Sequence, residues 1–436
     1  MDSARILNIL GIPALMFLAW LISTNKRVIN WRVILWGLAL ELVFALVIFV
    51  LPVGVQLFHI INNVVNSVLD SATYGTQFVF GRLALGPGAT SASGETSLGF
   101  ILAFQGLAVI IFFAALIGVL YYTGIMNWII RGFSFVFSKL MRISGAESLC
   151  ASSSIFVGVE AGFIVKPYIS KMTRSELNTI LTAGMASIAS SMLATYVMIL
   201  KGTFPAIAGH LVSASIMNMP AAIIMSKLLC PETGTPVTAG ENVKLKSQKE
   251  GNLFEAVINN ANSGLKLAVG VATLLLAVLG LMALADKIFV LVGGQLNDLF
   301  SWNVDWTLKG LLGYLFYPFT LLIGIPYNDA FQAAKIIGER LILTEVTAFQ
   351  DLAVVLNSST PISPRSAVMV TYALTGFAHI ASIAIFVGGY VALAPKKIKE
   401  MTSLGFRALL GATLACLLTA CFAGIFFSNN SILLGQ

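Results

Sequence analysis

Of the 436 residues, 58% are hydrophobic and 10% charged, and the mean hydropathy is +0.91. A soluble domain carries about 25% charged residues, so this chain cannot clothe a water-facing globule and reads as a polytopic membrane protein with no large soluble domain. Its net charge of +7 comes from basic residues scattered between apolar runs. That pattern fits loops beside a bilayer and argues against a nucleic-acid-binding stripe.

A membrane span needs about 20 mostly apolar residues. In chain order the qualifying runs are 6–23, 33–53, 99–122, 178–200, 204–228, 264–285, 366–393 and 404–427. The first resembles a signal peptide in hydropathy, but it lacks a basic start and an A-x-A cleavage site, so it reads as a span. Residues 56–84 are mixed, broken up by Asn62, Asn63, Asn66 and Asp70. The Gly- and Ser-rich stretch 86–94 lacks the Lys-Ser/Thr ending of a phosphate loop and reads as a connection. From Asn127 to Arg142, aromatic and basic positions alternate at helical spacing, as in an interfacial amphipathic helix. Residues 148–168 open with serines, carry Glu160 and end at Lys166-Pro167. Residues 328–357 carry Glu345 and run into Thr360-Pro361. Both look like helical hairpins that enter the membrane and return, because irregular backbone at that depth survives only beside protein or a water-filled cavity. A short ordinary span is the plainer alternative for each.

The longest polar stretch, 230–253, divides the chain into comparable halves. The expected organisation is N-terminal scaffold helices with an interfacial segment in 1–98, a first half in 99–229, a cytoplasmic loop in 230–263 and a second half in 264–436. Lys26, Arg27, Arg32, Arg131, Lys139, Arg142, Lys166, Lys171, Arg174, Lys227, Lys244, Lys246, Lys249, Lys396, Lys397, Lys399 and Arg407 fall on one side if both termini are outside and each hairpin crosses evenly. The two hairpins then enter from opposite sides. The fold class is an all-α polytopic membrane protein of about eight transmembrane helices plus two re-entrant hairpins in inverted repeats, with interfacial helices.

An internal repeat agrees with this. Glu160 and Glu345 are followed, 24 and 31 residues later, by Gly184-Met-Ala-Ser-Ile-Ala-Ser190 and Gly376-Phe-Ala-His-Ile-Ala-Ser382, identical at five of seven positions. A carboxylate at the bilayer centre costs roughly 2.5–3.5 kcal/mol on insertion scales, so an acid paired with a small-residue helix, present twice, points to one transport site between repeated halves. The bland alternative is that each acid caps a helix or meets a cation. At the first site, Ser152, Ser153, Ser154 and the carbonyls of a turn around Gly158, with Ser187 and Ile188, offer hard oxygens suited to Na+; serines that merely allow close helix packing are the alternative. At the second, Glu345, His379 and Ser382 can hydrogen-bond a polyhydroxylated ligand, with Phe377 and Phe349 as an apolar wall. Positions 379 and 382 are expected on one helix face. A packed histidine bonded to backbone is the alternative. Glu41 has no repeat partner and reads as structural. Cys150, Cys230, Cys416 and Cys421 show no metal spacing, and Cys416 and Cys421, five apart in one apolar run, read as buried thiols. No metal cluster or nucleophile elbow supports a hydrolase. Two hairpins meeting at a central acid pair favour an occluded carrier site over a pore.

These residues resemble the concentrative nucleoside transporters from about residue 99 onward. Ile155-Phe-Val-Gly-Val-Glu160 leading to Lys166-Pro-Tyr168 resembles the family's first-hairpin motif, Gly-Gln-Thr-Glu followed by Arg/Lys-Pro-Tyr. Met172 to Leu177 and Thr182-Ala-Gly184 resemble its next helix, and Gly338 to Glu345 its second hairpin, where an Asn-Glu pair is usual. Ile362-Ser-Pro-Arg365 is similar to Leu-Ser-Pro-Arg, and Gly376 to Ile383 to Gly-Phe-Ala-Asn-Phe-Ser-Ser-Ile.

The resemblance implies a homotrimer in the bacterial inner membrane, each protomer with a scaffold and a moving elevator domain. It implies Na+-coupled uptake of a small nucleoside, with no cofactor and no nucleic acid. Carried across, Glu160 lies on the base side and Glu345 and Ser382 on the ribose side, with Gly158, Val159, Phe377 and His379 also expected to line the substrate site. Na+ falls to Val157, Ser187 and Ile188, with Ser154 or Ser153 where the family has Asn. Val159 alone replaces the Gln-Thr pair, and His379 the ribose-holding Asn. Losing a buried amide contact costs discrimination, which opens a purine, a modified or a conjugated nucleoside as cargo. The imidazole opens H+ coupling, and a membrane nucleoside sensor that binds without transport is the rival from another class.

Overall fold

The computed structural model describes residues 3–91, 94–241, 243 and 250–428, and among them the apolar runs are helices, with one isolated β-bridge between Thr90 and Thr96. The N-terminal part holds α1 (Ser3–Leu21), α2 (Trp31–Phe49) and α3 (Pro52–Phe80). The stretch expected to be broken up at 56–84 is instead one continuous helix. Asn62 and Asp70 find partners without interrupting it: Asn62 Oδ1 accepts from the Gly209 N–H at 3.1 Å, and Asp70 lies 3.7 Å from Lys201. A π-helical turn, Ala103–Leu107, leads into α4 (Ala108–Tyr122), followed by α5 (Ile125–Met141). α5 is amphipathic as its spacing predicts, burying Met126, Ile130, Phe137 and Met141 and exposing Ile125, Trp128 and Phe135.

Two S/T-x-x-E capping boxes then start helices at sequence-defined points. Ser144 and Glu147 cap α6 (Gly145–Ser154), which is followed by a break and α7 (Ala161–Ile169), the first hairpin. Thr173 and Glu176 cap α8 (Arg174–Met185). The boxes are tied together: Ser144 Oγ donates to Glu176 at 2.6 Å, and Lys227 Nζ reaches Glu147 at 2.5 Å and Ser175 Oγ at 2.9 Å. The run 178–200 is not one helix, because α8 stops at Met185 and α9 (Ser190–Leu200) restarts beyond the repeated heptapeptide. α10 (Ile207–Leu229), the source of Lys227, closes the first half.

α11 (Leu253–Phe300) has 48 residues and is largely exposed. It starts well before 264, so part of the expected 230–263 loop is helical; Lys244, Lys246 and Lys249 lie outside the described residues. α12 (Leu308–Leu322), the second hairpin α13 (Tyr327–Ile342) and α14 (Glu345–Leu356), the broken helix α15 (Pro364–Leu374) and α16 (Ile380–Leu393), and α17 (Ile398–Phe426) complete the chain. The order from α4 to α10 (two helices, a hairpin, a broken helix, a long helix) thus recurs from α11 to α17. α4 with its π-helical turn, α8–α9 and α10 are three stretches long and apolar enough to cross a membrane, and an odd number of crossings inverts the second copy.

Seven helical stretches among the described residues are long and apolar enough to cross a membrane; the expected span 366–393 is split into the shorter α15 and α16. α4 packs along α11, where Gly264 faces Ala114 and the Ile110 carbonyl so closely that a Cβ would not fit. Small residues at such contacts let helix backbones approach in a bilayer. α1 and α2, expected as scaffold helices, pack on α17 and α10 rather than along the α4–α11 pair. Glu41 is fully buried in α2, and all four cysteines are buried and free.

Candidate functional site

Both copies of the repeated heptapeptide fall where a helix is broken, and the breaks cross. The Phe377 N–H donates to the Ser187 carbonyl at 3.2 Å, and the Ser190 N–H donates to the Phe156 carbonyl in the first-hairpin tip at 2.9 Å. Hairpin tip, first break and second break therefore meet at one point. Unwound backbone is tolerated there because neighbouring elements satisfy it.

Glu345 opens α14 at the tip of the second hairpin and is 2% exposed. Its Oε1 accepts from the Tyr196 hydroxyl at 2.6 Å, and its Oε2 lies 3.2 Å from His379 Nε2. Tyr196 stacks on Phe349 with ring centroids 4.6 Å apart. His379 is not inside a helix, so it does not share a helical face with Ser382 as expected. It is the N-cap of α16, and its Nδ1 accepts the Ser382 backbone N–H at 3.2 Å. A bare Nδ1 places the proton of the neutral ring on Nε2, facing both Glu345 and the Ser382 hydroxyl, 2.9 Å away. Phe377 stands edge-on to His379 at 6.5 Å. The structure thus joins Glu345, Phe377, His379 and Ser382 in one cluster.

At the first hairpin, Gly158 is buried, and a Cβ added there would lie 3.3 Å from Glu160 Oε2 and 3.8 Å from the Phe377 ring. Glu160 precedes α7 without capping it and is exposed, so it is not a carboxylate buried in apolar surroundings. Val159 packs its methyl groups on Gly389 of α16, where a Cβ would come within 2.5 Å. Of the expected ion ligands, Val157, Ser187 and Ile188 lie in or beside the crossing breaks. The Ser187 hydroxyl donates to the Gly184 carbonyl at 3.0 Å, and Ser153 and Ser154 donate to Leu149 and Cys150 at 2.7 and 3.0 Å. A hydroxyl that donates keeps lone pairs for a cation, so these hard oxygens fit Na+ chemically. No cluster of three His, Cys, Asp or Glu that could hold another metal occurs among the described residues.

Three contributors escape the sequence reading. Tyr196 is one. Asn218 of α10, fully buried, donates its amide hydrogens to the Ala186 carbonyl at 2.9 Å and, through a short contact, to the Thr375 carbonyl. One side chain satisfies the backbone freed by both breaks; a lone amide in an apolar span was the available signal. Arg340, 1% exposed, donates to the Ala373 carbonyl at 2.5 Å near the end of α15, where carbonyl dipoles favour a cation.

Inverted repeats, paired hairpins and crossed helix breaks around a polar centre define a membrane transporter of the repeat-built class. The chain matches the family models described as Na+ dependent nucleoside transporter N-terminus over residues 10–83, nucleoside recognition over 103–203 and Na+ dependent nucleoside transporter C-terminus over 210–424. It is 33% identical to the nucleoside permease NupC of Helicobacter pylori, covering 98% of this chain and 99% of that one. It is 32% identical to mouse solute carrier family 28 member 3 over 95% of its own length, but spans only 58% of that protein. Among solved structures, CNTnw in an inward-facing substrate-bound state has a TM-score of 0.88 at 31% identity over 98% of both chains, and an outward-facing variant of it has 0.87. The chain belongs to the concentrative nucleoside transporter family, whose members carry solutes and are not enzymes.

Proposed function

We propose that this protein takes up nucleosides across the inner membrane by Na+-coupled symport, working as an elevator. The observation that carries this is Glu345, a buried carboxylate at a hairpin tip, held from one side by Tyr196 and met from the other by His379, whose Nε2 also lies 2.9 Å from the Ser382 hydroxyl. A carboxylate fixed by donors on one edge presents acceptors to the vicinal hydroxyls of a ribose, and Phe377 and Gly158 border the same space. Glu160 serves the base side. Na+ bound by carbonyl and hydroxyl oxygens of Val157, Ser187 and Ile188, with Ser153 or Ser154, would brace the first-hairpin tip against the first break. Ion and nucleoside would then favour the same geometry, so neither alone promotes crossing.

In this reading α4 and α11 form the fixed framework with α3, and the hairpins move with α1, α2, α10 and α17. The long exposed face of α11 supports assembly as a homotrimer within the lipid bilayer, and the basic loops support external termini. His379 favours a second reading, with H+ as coupling ion and a purine, modified or conjugated nucleoside as cargo.

The test is uptake of radiolabelled uridine and adenosine into proteoliposomes under an inward Na+ gradient or a matched H+ gradient. Na+-dependent accumulation, abolished in Glu345→Gln with the fold intact, is the expected result. H+-driven accumulation selects the second reading. Binding without accumulation under either gradient would mean a sensor and end the transport reading.

A further inference from the structure

A basic cavity of about 420 Å³ lies where the start of α2 meets the end of α5, lined by Arg32, Phe135, Ser138, Lys139, Arg142 and Gly240. It is separate from the acid site and no part of the transport reading uses it. Arg32 donates through Nε to the Leu140 carbonyl at 3.1 Å, which pins its guanidinium across the two helices. Lys139 lies 5.1 Å over the Phe135 ring. Arg142 ends α5 with φ of 52°, in the left-handed region where helices usually place glycine. Such backbone costs on the order of 1–3 kcal/mol and persists where surrounding structure or function holds it.

The charge at this point is one-sided. The stretches 20–40 and 121–146 contain no Asp or Glu, and the nearest acid along the chain to the lining is Glu241, beside Gly240. None of the three cations takes part in an ion pair among the described residues. Beside the charges lie exposed apolar and aromatic side chains: Trp31 is 62% exposed on α2, and Ile125, Trp128 and Phe135 follow one face of α5. Exposed tryptophan beside basic residues marks the level of the headgroups in a bilayer. A basic cavity there is complementary to a phosphate, and the apolar set beside it to acyl chains.

We propose that this cavity is a binding site for an anionic phospholipid, with the phosphate held by Arg32, Lys139 and Arg142 and the chains laid along α5 and the start of α2. A lipid fits better than free phosphate because Phe135 both lines the cavity and belongs to that apolar set, and Trp31 adjoins Arg32. α5 joins α4 to the first hairpin, so a bound lipid would hold this link at the membrane surface.

The full-length protein is reconstituted in phosphatidylcholine bilayers containing increasing phosphatidylglycerol, with one or the other lipid brominated to quench tryptophan fluorescence. Trp31 and Trp128 report on the site. Saturable excess quenching by brominated phosphatidylglycerol is expected. Lys139→Gln with Arg142→Gln should weaken it about thirtyfold, each basic residue near the surface being worth about fivefold. Lys396→Gln with Lys397→Gln removes the same charge elsewhere and should leave it unchanged. If the first pair does not fold, Arg142→Gln alone should weaken binding about fivefold. Equal quenching by both lipids, or equal effects of the two double variants, overturns the proposal. Full displacement by inorganic phosphate would show a free-phosphate site instead and overturn it too.

Discussion

Tyr196→Phe isolates one bond. The ring stacks on Phe349 and leaves no cavity when the hydroxyl is removed, so packing is retained. What disappears is a 2.6 Å hydrogen bond to a carboxylate oxygen that is almost fully buried. A hydrogen bond to a charged group contributes about 1.5–3 kcal/mol. Glu345 would keep only the His379 side of its contacts and gain rotational freedom. If the carboxylate holds the sugar, that freedom must be removed again on binding, and the loss appears in apparent affinity, about tenfold to a hundredfold at 1.4 kcal/mol per decade. The assay is concentration-dependent nucleoside uptake in proteoliposomes, with thermal unfolding run alongside. The apparent KM should rise while the maximal rate changes little. A variant that folds and keeps wild-type apparent affinity would refute the claim that Tyr196 orients Glu345.

Two other outcomes test neighbouring parts. His379→Asn keeps a side-chain acceptor for the Ser382 N–H, so α16 should stay capped within about 1 kcal/mol, while the contact with Glu345 is lost; the uridine-to-adenosine uptake ratio should shift, and an unchanged ratio would make His379 a cap only. Lys227→Met leaves Glu147 buried without its cation and should destabilise by about 3–5 kcal/mol; adding Glu147→Gln should recover most of the loss in thermal unfolding, and failure to recover would deny the pair its role at the feet of α6 and α8.

The architecture was legible where local signals were strong. The apolar runs 6–23, 33–53 and 204–228 give helix limits to within a few residues, whereas α11 extends well past both ends of 264–285. In α3 the asparagines read as breaks, whereas Asn62 bonds to α10 and Asp70 meets Lys201. The break after Met185 escaped notice because Ala186-Ser-Ile-Ala189 contains neither glycine nor proline. It stays unwound through tertiary bonds to Phe377 and Asn218, which no local pattern reveals. The same holds for the site. Glu345, His379 and Ser382 stood out as polar groups in apolar runs, but Tyr196 and Asn218 matter only because distant helices bring them to Glu345 and to the crossing.

Asn218 has a consequence for how such a chain can diverge. Its amide nitrogen has two hydrogens, one given to Ala186 in the first copy of the repeat and the other to Thr375, the residue before the second. A hydroxyl in its place has a single hydrogen and would leave one copy unsatisfied. The two halves, descended in form from one pattern, therefore share a residue that belongs to only one of them. At this crossing neither copy is free to drift alone: a shift in either carbonyl must be answered on α10, and then in the other half.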